Sequence, residues 1–255
     1  MLEPIEIFFW STPNGIKITI ACEEMGLPYK LTAVDISKGD QFKPDFLKIS
    51  PNNRMPAIID PVGPSGKPVS IFESGAILQY LGRKYGGGDL YGPTEDDRIA
   101  IDQWVHWQIG NLGPVSGHWN HFANWAPTLG ADSEKLTYAV DRFRKELNRL
   151  HGVMESALKT RPWIANETFS IADIACWGWI RAHVVREDFV AEFPHVKAWF
   201  DRCAARPALQ RGADAGKGLR TEQERLTTEE LALRRKLLFG QTAKGVAEIA
   251  SEKAQ

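Results

Sequence analysis

Residues 1 to about 90 alternate between short apolar runs and amphipathic ones, and this alternation restricts the fold more than any other feature of the chain. Ile5–Trp10 reads as a strand and Ile16–Met25 as a helix. Pro28–Asp35 reads as a second strand, parallel to the first because a helical crossover lies between them. A polar loop, Ser37–Gln41, leads to a short helix around Pro44 to Ile49. Met55–Asp60 and Val69–Glu73 are two further strands, and the Gly/Pro turn over residues 61–68 predicts an antiparallel hairpin. Ser74–Tyr85 is an amphipathic helix with Ser74 as its cap. The order is β-α-β-α-β-β-α.

Gly86–Pro93 breaks that pattern and marks a domain boundary. From Thr94 onward the periodicity is helical. One amphipathic segment runs from about Thr94 to Ile109, with Gly113-Pro114 kinking or ending it, and a second covers Asp132 to Thr160. Phe169–Ile174 is a helix-start signature. Ser170 caps, Asp173 reaches back to the Ser170 N–H, and Phe169 packs on Ile174. The helix that follows, Ile171–Trp179, is apolar almost all round, so it predicts the buried centre of a helical domain and makes Asp173 a folding residue. Pro194–Trp199 and Arg206–Ala208 mark the last core helix and its end. Residues 212–255 read as an extension. Thr227–Glu230 offers a second capping box, followed by Leu231, Leu233, Leu237 and Leu238, with Gly240 as a stop. The apolar face of that helix must dock on something. Past Gln241 the chain is small and polar, and fraying is expected. The expected domains are therefore 1–86, 94–211 and the extension 212–255.

A net charge of −1 gives no global attraction to nucleic acid or anionic membrane. No apolar run approaches the ~20 residues that span a bilayer, and no leader pattern precedes the first strand. A cytoplasmic location is the expectation. The three cysteines, Cys22, Cys176 and Cys203, form no CxxC pair and no zinc-like cluster, and all lie in helical segments where buried, inert thiols are expected. Nine tryptophans, most of them between Trp104 and Trp179, serve core packing or line an apolar pocket.

Chemistry concentrates at three turns. Ser11-Thr12-Pro13-Asn14-Gly15 joins the first strand to the first helix. Backbone N–H groups, hydroxyls and an amide converge there at a helix N-terminus, which can hold an anion such as a thiolate or can simply cap the helix. Met55-Pro56 heads the third strand, and a proline heading a strand beside a site invites a cis peptide. Glu73-Ser74 precedes the third helix. Glu73 can bind an ammonium, and the Ser74 hydroxyl and N–H can bind a carboxylate; capping uses the same atoms. Arg54 and Gln41 can add a cation and an amide near the same groove, or can be solvated loop residues. His118 and His121, three apart with no third ligand, are a weak metal pair; the stretch around them reads as the wall of an acceptor pocket, with Trp119 and Phe122 as its lining.

These residues resemble the glutathione S-transferases, and in detail the Nu class and a fungal regulator of nitrogen catabolism with the same fold. The resemblance rests on Thr12 to Lys17, Gly39 to Phe42, Ile49 to Ile58 and Phe72 to Ile77. In the helical part it rests on Trp107 to Pro114 and Ser170 to Trp177. It covers about residues 4 to 210 and leaves out the tail. It implies a thioredoxin-like α/β N-terminal domain followed by an all-α domain, and glutathione (reduced or as its disulfide) as cofactor. It further implies that Thr12 and Asn14 face the glutathione sulfur and that Gln41 and Arg54 lie along the glycine end. Met55, before a cis Pro56, clamps the cysteinyl backbone, and Glu73-Ser74 holds the γ-glutamyl end. Arg142, from the second domain or a partner chain, completes the site, and a homodimer is expected. Ser11 before Thr12-Pro13 is similar to the catalytic serine position of theta- and delta-like transferases, so Ser11 is the alternative sulfur contact.

The resemblance implies an enzyme of glutathione-dependent thiol–disulfide exchange, in which bound glutathione replaces protein cysteines. The absence of CxxC fits that, and a hydroxyl and an amide at a helix N-terminus favour a thiolate without a proton acceptor. The alternatives are a transferase that conjugates glutathione to, or removes it from, a small apolar electrophile, and a non-catalytic glutathione-binding regulatory module. The expected partner is a small disulfide or electrophile.

Overall fold

A computed structural model of the chain describes residues 2–219, 227–238 and 241–253. The chain divides into two compact units, Met1–Ile77 with Arg211–Gln255, and Leu78–Gln210. The first holds β1 (Ile5–Phe9), α1 (Gly15–Glu24), β2 (Tyr29–Ala33), α2 (Pro44–Ile49), β3 (Ala57–Asp60), β4 (Val69–Phe72) and the start of α3 (Ser74–Tyr85). Its four strands lie in the order β2-β1-β3-β4. β1 and β2 are parallel with Ile7 beside Leu31, whereas β1–β3 and β3–β4 are antiparallel with Ile7 beside Ile58 and Ile58 beside Ile71. This is the expected thioredoxin-like arrangement. In β1 the buried Ile5, Ile7 and Phe9 alternate with half-buried Glu6 and Phe8, the period of a pleated strand. α1 buries every residue from Gly15 to Cys22, including Lys17.

Two local expectations change. β3 begins at Ala57, since Pro56 has no N–H to give a ladder. Ser74 does not cap α3: the Glu73 carbonyl accepts the Ile77 N–H at 2.9 Å, so Glu73 holds the cap position, at φ 70°, and Ser74 is the first helical residue.

The extension belongs to the first unit. The Thr19 hydroxyl donates to the Gly212 carbonyl at 2.6 Å, Arg211 pairs with Glu23 at 2.7 Å, and a Cβ at Gly212 would stand 2.4 Å from Ile20 Cα. Only glycine permits that approach. α12 (Thr228–Leu238) starts with the expected box, in which Thr227 N donates to Glu230 and Glu230 N donates to the Thr227 hydroxyl. The side chain of Leu231 and all of Gly240 lie outside the described residues. Leu237 is buried against Phe42, whereas Leu233 is 49% exposed, so the docking face is narrower than the leucine spacing suggests. Fraying past Gln241 is not found among the described residues. Ala243–Lys253 forms α13, because Val246 and Ile249, one turn apart, make a stripe that packs on the Phe42 cluster. Leu237→Ala should therefore lower stability by about 2–4 kcal/mol in urea unfolding. A midpoint equal to wild type would mean that the tail is not docked.

The second unit holds α4 (Glu95–Trp107), α5 (Gly113–Asn120), α6 (Ala126–Thr128), α7 (Ser133–Leu158), α8 (Ile171–Ile180), α9 (Glu187–Glu192), α10 (Pro194–Ala204) and the first half of α11 (Pro207–Asp214). The chain does not stop at Gly113-Pro114. It stays helical through wide turns over Gln108–Leu112 and His121–Trp125, and the first of these absorbs the hydrogen bond that Pro114 cannot make. No helix among the described residues is long and apolar enough to cross a membrane. α8 is the buried centre, with Ser170 and Asp173 forming the expected box. Asp173 is completely buried and accepts from Ile164 N (2.9 Å), Ser170 N (2.9 Å) and Trp199 Nε1 (2.7 Å).

His151 and His183 are buried 4.9 Å apart among Phe189, Phe193 and Trp119. Burial, with the charge of nearby Arg186, pushes their pKa values down to about 3 and about 4. The unfolded chain takes up protons at these histidines below pH ~6.5, where the folded protein does not. Stability should therefore fall as pH drops from ~6.5 toward 4, by about 1.4 kcal/mol per pH unit for each group. Urea unfolding from pH 7 to 4.5 checks this, and His151→Phe should remove one proton from the slope.

Candidate functional site

After β1 the chain turns through Trp10–Asn14 into α1. Thr12 N donates to the Trp10 carbonyl at 2.8 Å, and Ile16 N donates to the Thr12 carbonyl at 3.1 Å. The Thr12 hydroxyl accepts the Gly15 N–H at 3.1 Å and stands 3.6 Å from Met55 Sδ. A Cβ on Gly15 would lie 2.1 Å from the Trp10 carbonyl oxygen and 2.9 Å from Met55 Cε, so the turn closes this tightly only around glycine. Asn14 stands immediately before α1 and its side chain does not cap the helix. The Ser11 hydroxyl makes no hydrogen bond within the described residues.

The second wall is the turn before β3. The Ser50 hydroxyl donates to the Arg54 carbonyl at 2.7 Å, and Asn53, at φ 47°, donates its N–H to the Ser50 carbonyl at 2.9 Å. The Met55–Pro56 bond is cis, as the resemblance implied. Arg54 gives Nη1 to the Asn53 carbonyl at 3.1 Å, and its exposed guanidinium meets no carboxylate among the described residues.

The third wall is Glu73-Ser74. Asn52 Nδ2 donates to Glu73 Oε1 at 3.3 Å, and Lys17 Nζ donates to Ser74 Oγ at 3.1 Å. Glu73 is exposed, with a left-handed backbone that a non-glycine residue adopts at a cost, a feature that clusters at ligand sites. These contacts bring the first turn to Met55, the Pro51–Arg54 turn to Glu73, and α1 to Ser74. Gln41 stands apart. It is 2% exposed, its Nε2 donates to the Ile36 carbonyl at 3.3 Å, and its Oε1 has no hydrogen-bond partner among the described residues. Arg142 lies on α7 in the second unit, 3.7 Å from Glu146.

Lys17 and Asn52 were not singled out from the sequence. A lysine inside the run Ile16-Lys17-Ile18-Thr19-Ile20 was the available signal, since a cation in an apolar run directly after a polar turn has to face something polar.

The protein's own thiols take no part in this arrangement. All three cysteines are buried and none is in a disulfide. Burial pushes the Cys22 thiol up to about 12 and raises Cys203 well above its ordinary value. In the second unit His118 and Phe122 both stack on Phe143, and Trp119 packs toward His183. Phe122 lines a groove of about 330 Å³ with Leu136 and Val140; Trp119 does not. The described residues contain no group of three or more His, Cys, Asp and Glu side chains placed to hold a metal.

Residues 4–83 match the model for the glutathione S-transferase N-terminal domain, and residues 118–207 match that for the C-terminal domain. The chain is 45% identical to the disulfide-bond oxidoreductase YfcG of Escherichia coli over 206 residues, covering 80% of this chain and 92% of that one. It is similar in structure to a glutathione transferase family member from Pseudomonas fluorescens with two glutathione bound. The TM-score is 0.75 and the identity 38%, over 83% of this chain and 92% of that one. A glutathione transferase from Pseudomonas putida with one glutathione disulfide bound per subunit gives TM-score 0.74 and 38% identity, over 83% and 91%.

Proposed function

This chain belongs to the glutathione S-transferase family, and on that premise we propose that it is an enzyme of glutathione-dependent thiol–disulfide exchange. The observation that carries the reading is that the cysteines are buried, so a reacting thiolate has to come from a ligand, and a donor-rich turn exists to hold one. The residues fit glutathione. Among the described residues Arg54 meets no carboxylate and the Gln41 amide oxygen meets no donor, so both can serve the glycine end, while Met55 offers its backbone to the cysteinyl residue. Glu73 meets no cation among the described residues, so it can take the γ-glutamyl ammonium, and Ser74 takes the carboxylate. Thr12 and Asn14 donate to the sulfur. Bound glutathione supplies the thiolate that opens a disulfide, and a second glutathione releases the mixed disulfide as glutathione disulfide. The reading includes residues 1–86 as the glutathione-binding domain, 94–211 as the helical domain, a cytoplasmic homodimer, and Arg142, of the second domain or a partner chain, as a further glutathione-binding residue.

A second reading has one observation in its favour. The Ser11 hydroxyl makes no hydrogen bond among the described residues, whereas that of Thr12 accepts the Gly15 N–H, so Ser11 can hold the sulfur for conjugation to an electrophile. The test is one preparation assayed for reduction of hydroxyethyl disulfide and for conjugation to an activated aryl halide. Disulfide turnover well above conjugation is the expected result. The reverse would favour the transferase, and glutathione binding with neither activity would favour a regulatory module.

A further inference from the structure

We propose that Gln241, in the C-terminal extension, is a positioning residue for the glycine end of the glutathione site: it holds the turn that presents the Arg54 guanidinium. The match to the family's C-terminal domain ends at residue 207, and the extension lies beyond it. The extension holds the first unit at two places. Leu237 of α12, with Val246 and Ile249 of α13, encloses the fully buried Phe42. A Cβ on Gly39 would stand 3.1 Å from Leu237 Cδ2, so the loop before Phe42 also lies close under α12. The second contact is polar. Gln241 Nε2 donates to the Leu237 carbonyl, which leaves Oε1 as the acceptor, and Asn53 Nδ2 donates to it at 3.4 Å. Asn53 in turn accepts Arg54 Nη1 on its carbonyl at 3.1 Å. The glutathione reading assigns Gln41 and Arg54 to the glycine end, and each is next in the chain to a residue that the extension holds.

Asn53 is where that contact has most effect. Its backbone is left-handed, at φ 47°, a conformation that costs a non-glycine residue free energy and persists where the surroundings fix it. The Ser50 carbonyl fixes its N–H at 2.9 Å, and Gln241 fixes its side chain. The Asn53 carbonyl then anchors one N–H of the guanidinium. The other donors of that rigid, planar group are kept in one orientation, ready for a carboxylate. Without the anchor, binding would have to order the arginine as well. Gln241 therefore sets the affinity for the terminal carboxylate of a peptide by acting through Asn53.

This inference rests on the glutathione reading above, and its test separates the two. Calorimetry on the full chain would compare glutathione with γ-glutamylcysteinylglycinamide, which lacks only the negative charge of the glycine end. Wild type should favour glutathione clearly. Gln241→Met keeps the length of the side chain and removes both of its hydrogen bonds. It should weaken glutathione about fivefold and leave the amide within about twofold. Arg54→Met should give the same pattern with a larger loss, and the double variant should add little to Arg54→Met alone. Asn53→Gly, which suits the left-handed backbone and drops the side-chain amide, should match Gln241→Met. Equal losses for both peptides, or no loss for either, would overturn the proposal. Wild type that binds glutathione and its amide equally would also overturn it, while wild type that binds no glutathione would sink the underlying reading instead. If Gln241→Met does not fold, Asn53→Gly decides alone: a loss confined to glutathione supports the proposal, and an unselective loss or none overturns it.

Discussion

Asp173→Ala is expected to cost at least about 4 kcal/mol of stability, enough to leave much of the second unit unfolded. The size follows from what the carboxylate satisfies. Three buried donors end on it, Ile164 N, Ser170 N and Trp199 Nε1, and each left without an acceptor costs about 1–3 kcal/mol. Two of them tie separate segments to α8, the loop before it and α10, so the loss is of assembly as well as of a helix cap. Asp173→Asn should lie between. One amide oxygen can still serve Ile164 and Trp199, but the new NH₂ then faces the Ser170 N–H, donor against donor. The pH dependence separates this residue from the histidine pair. Burial raises the Asp173 pKa, so alone it would make the folded state lose stability as pH rises through the carboxylate range. The predicted acid loss has the opposite sign and belongs to His151 and His183. Urea unfolding followed by tryptophan fluorescence checks both substitutions, and wild-type midpoints would remove Asp173 from this role.

What could be seen in the sequence divides along the range of the interactions involved. The Asp173–Ser170 box is three residues long, and the strands of the first unit announce themselves by period, so both were legible. The turn Ser11–Gly15 and the bond Met55–Pro56 were legible as motifs, and the resemblance supplied the rest of their meaning. Misreadings arose where a residue's partner lies far along the chain. Ser74 is an ordinary cap by local rules, but its hydroxyl is taken by Lys17, which is 57 residues earlier, and Glu73 assumes the cap position through its left-handed backbone. Of the two readings the sequence allows for Gln41, a groove amide or a solvated loop residue, the solvated one fails, because Gln41 is buried beside Phe42, where Leu237 and Ile249 close the surface. The tail fails as a composition argument for the same reason. Val246 and Ile249 are a thin stripe by themselves and become a helix face only against a cluster supplied by the start of the chain. Long-range packing overrides weak local preference in each case.

Asn14→Ala should reduce disulfide turnover at pH 7 by about ten- to a hundredfold while glutathione affinity changes far less. A hydrogen bond to a charged acceptor contributes about 1.5–3 kcal/mol, and 1.4 kcal/mol corresponds to one pKa unit. Losing one donor to the sulfur therefore raises the bound thiol's pKa by about one to two units, and the acid limb of the pH–rate profile should move up by the same amount. At high pH, where the thiol ionises without help, the variant should recover. The peptide's other anchors, Arg54, Met55, Glu73 and Ser74, are untouched, so binding is mostly kept. Thr12 needs a different comparison, because its hydroxyl also accepts the Gly15 N–H. Thr12→Val loses the cap, worth about 1 kcal/mol of stability, together with the sulfur donor, whereas Thr12→Ser keeps both and should stay active. Ser11→Ala should be nearly silent. A dead Ser11→Ala beside a fully active Asn14→Ala would instead assign the sulfur to Ser11, whose hydroxyl makes no hydrogen bond among the described residues, and the balance of activity should then shift from disulfide exchange to conjugation.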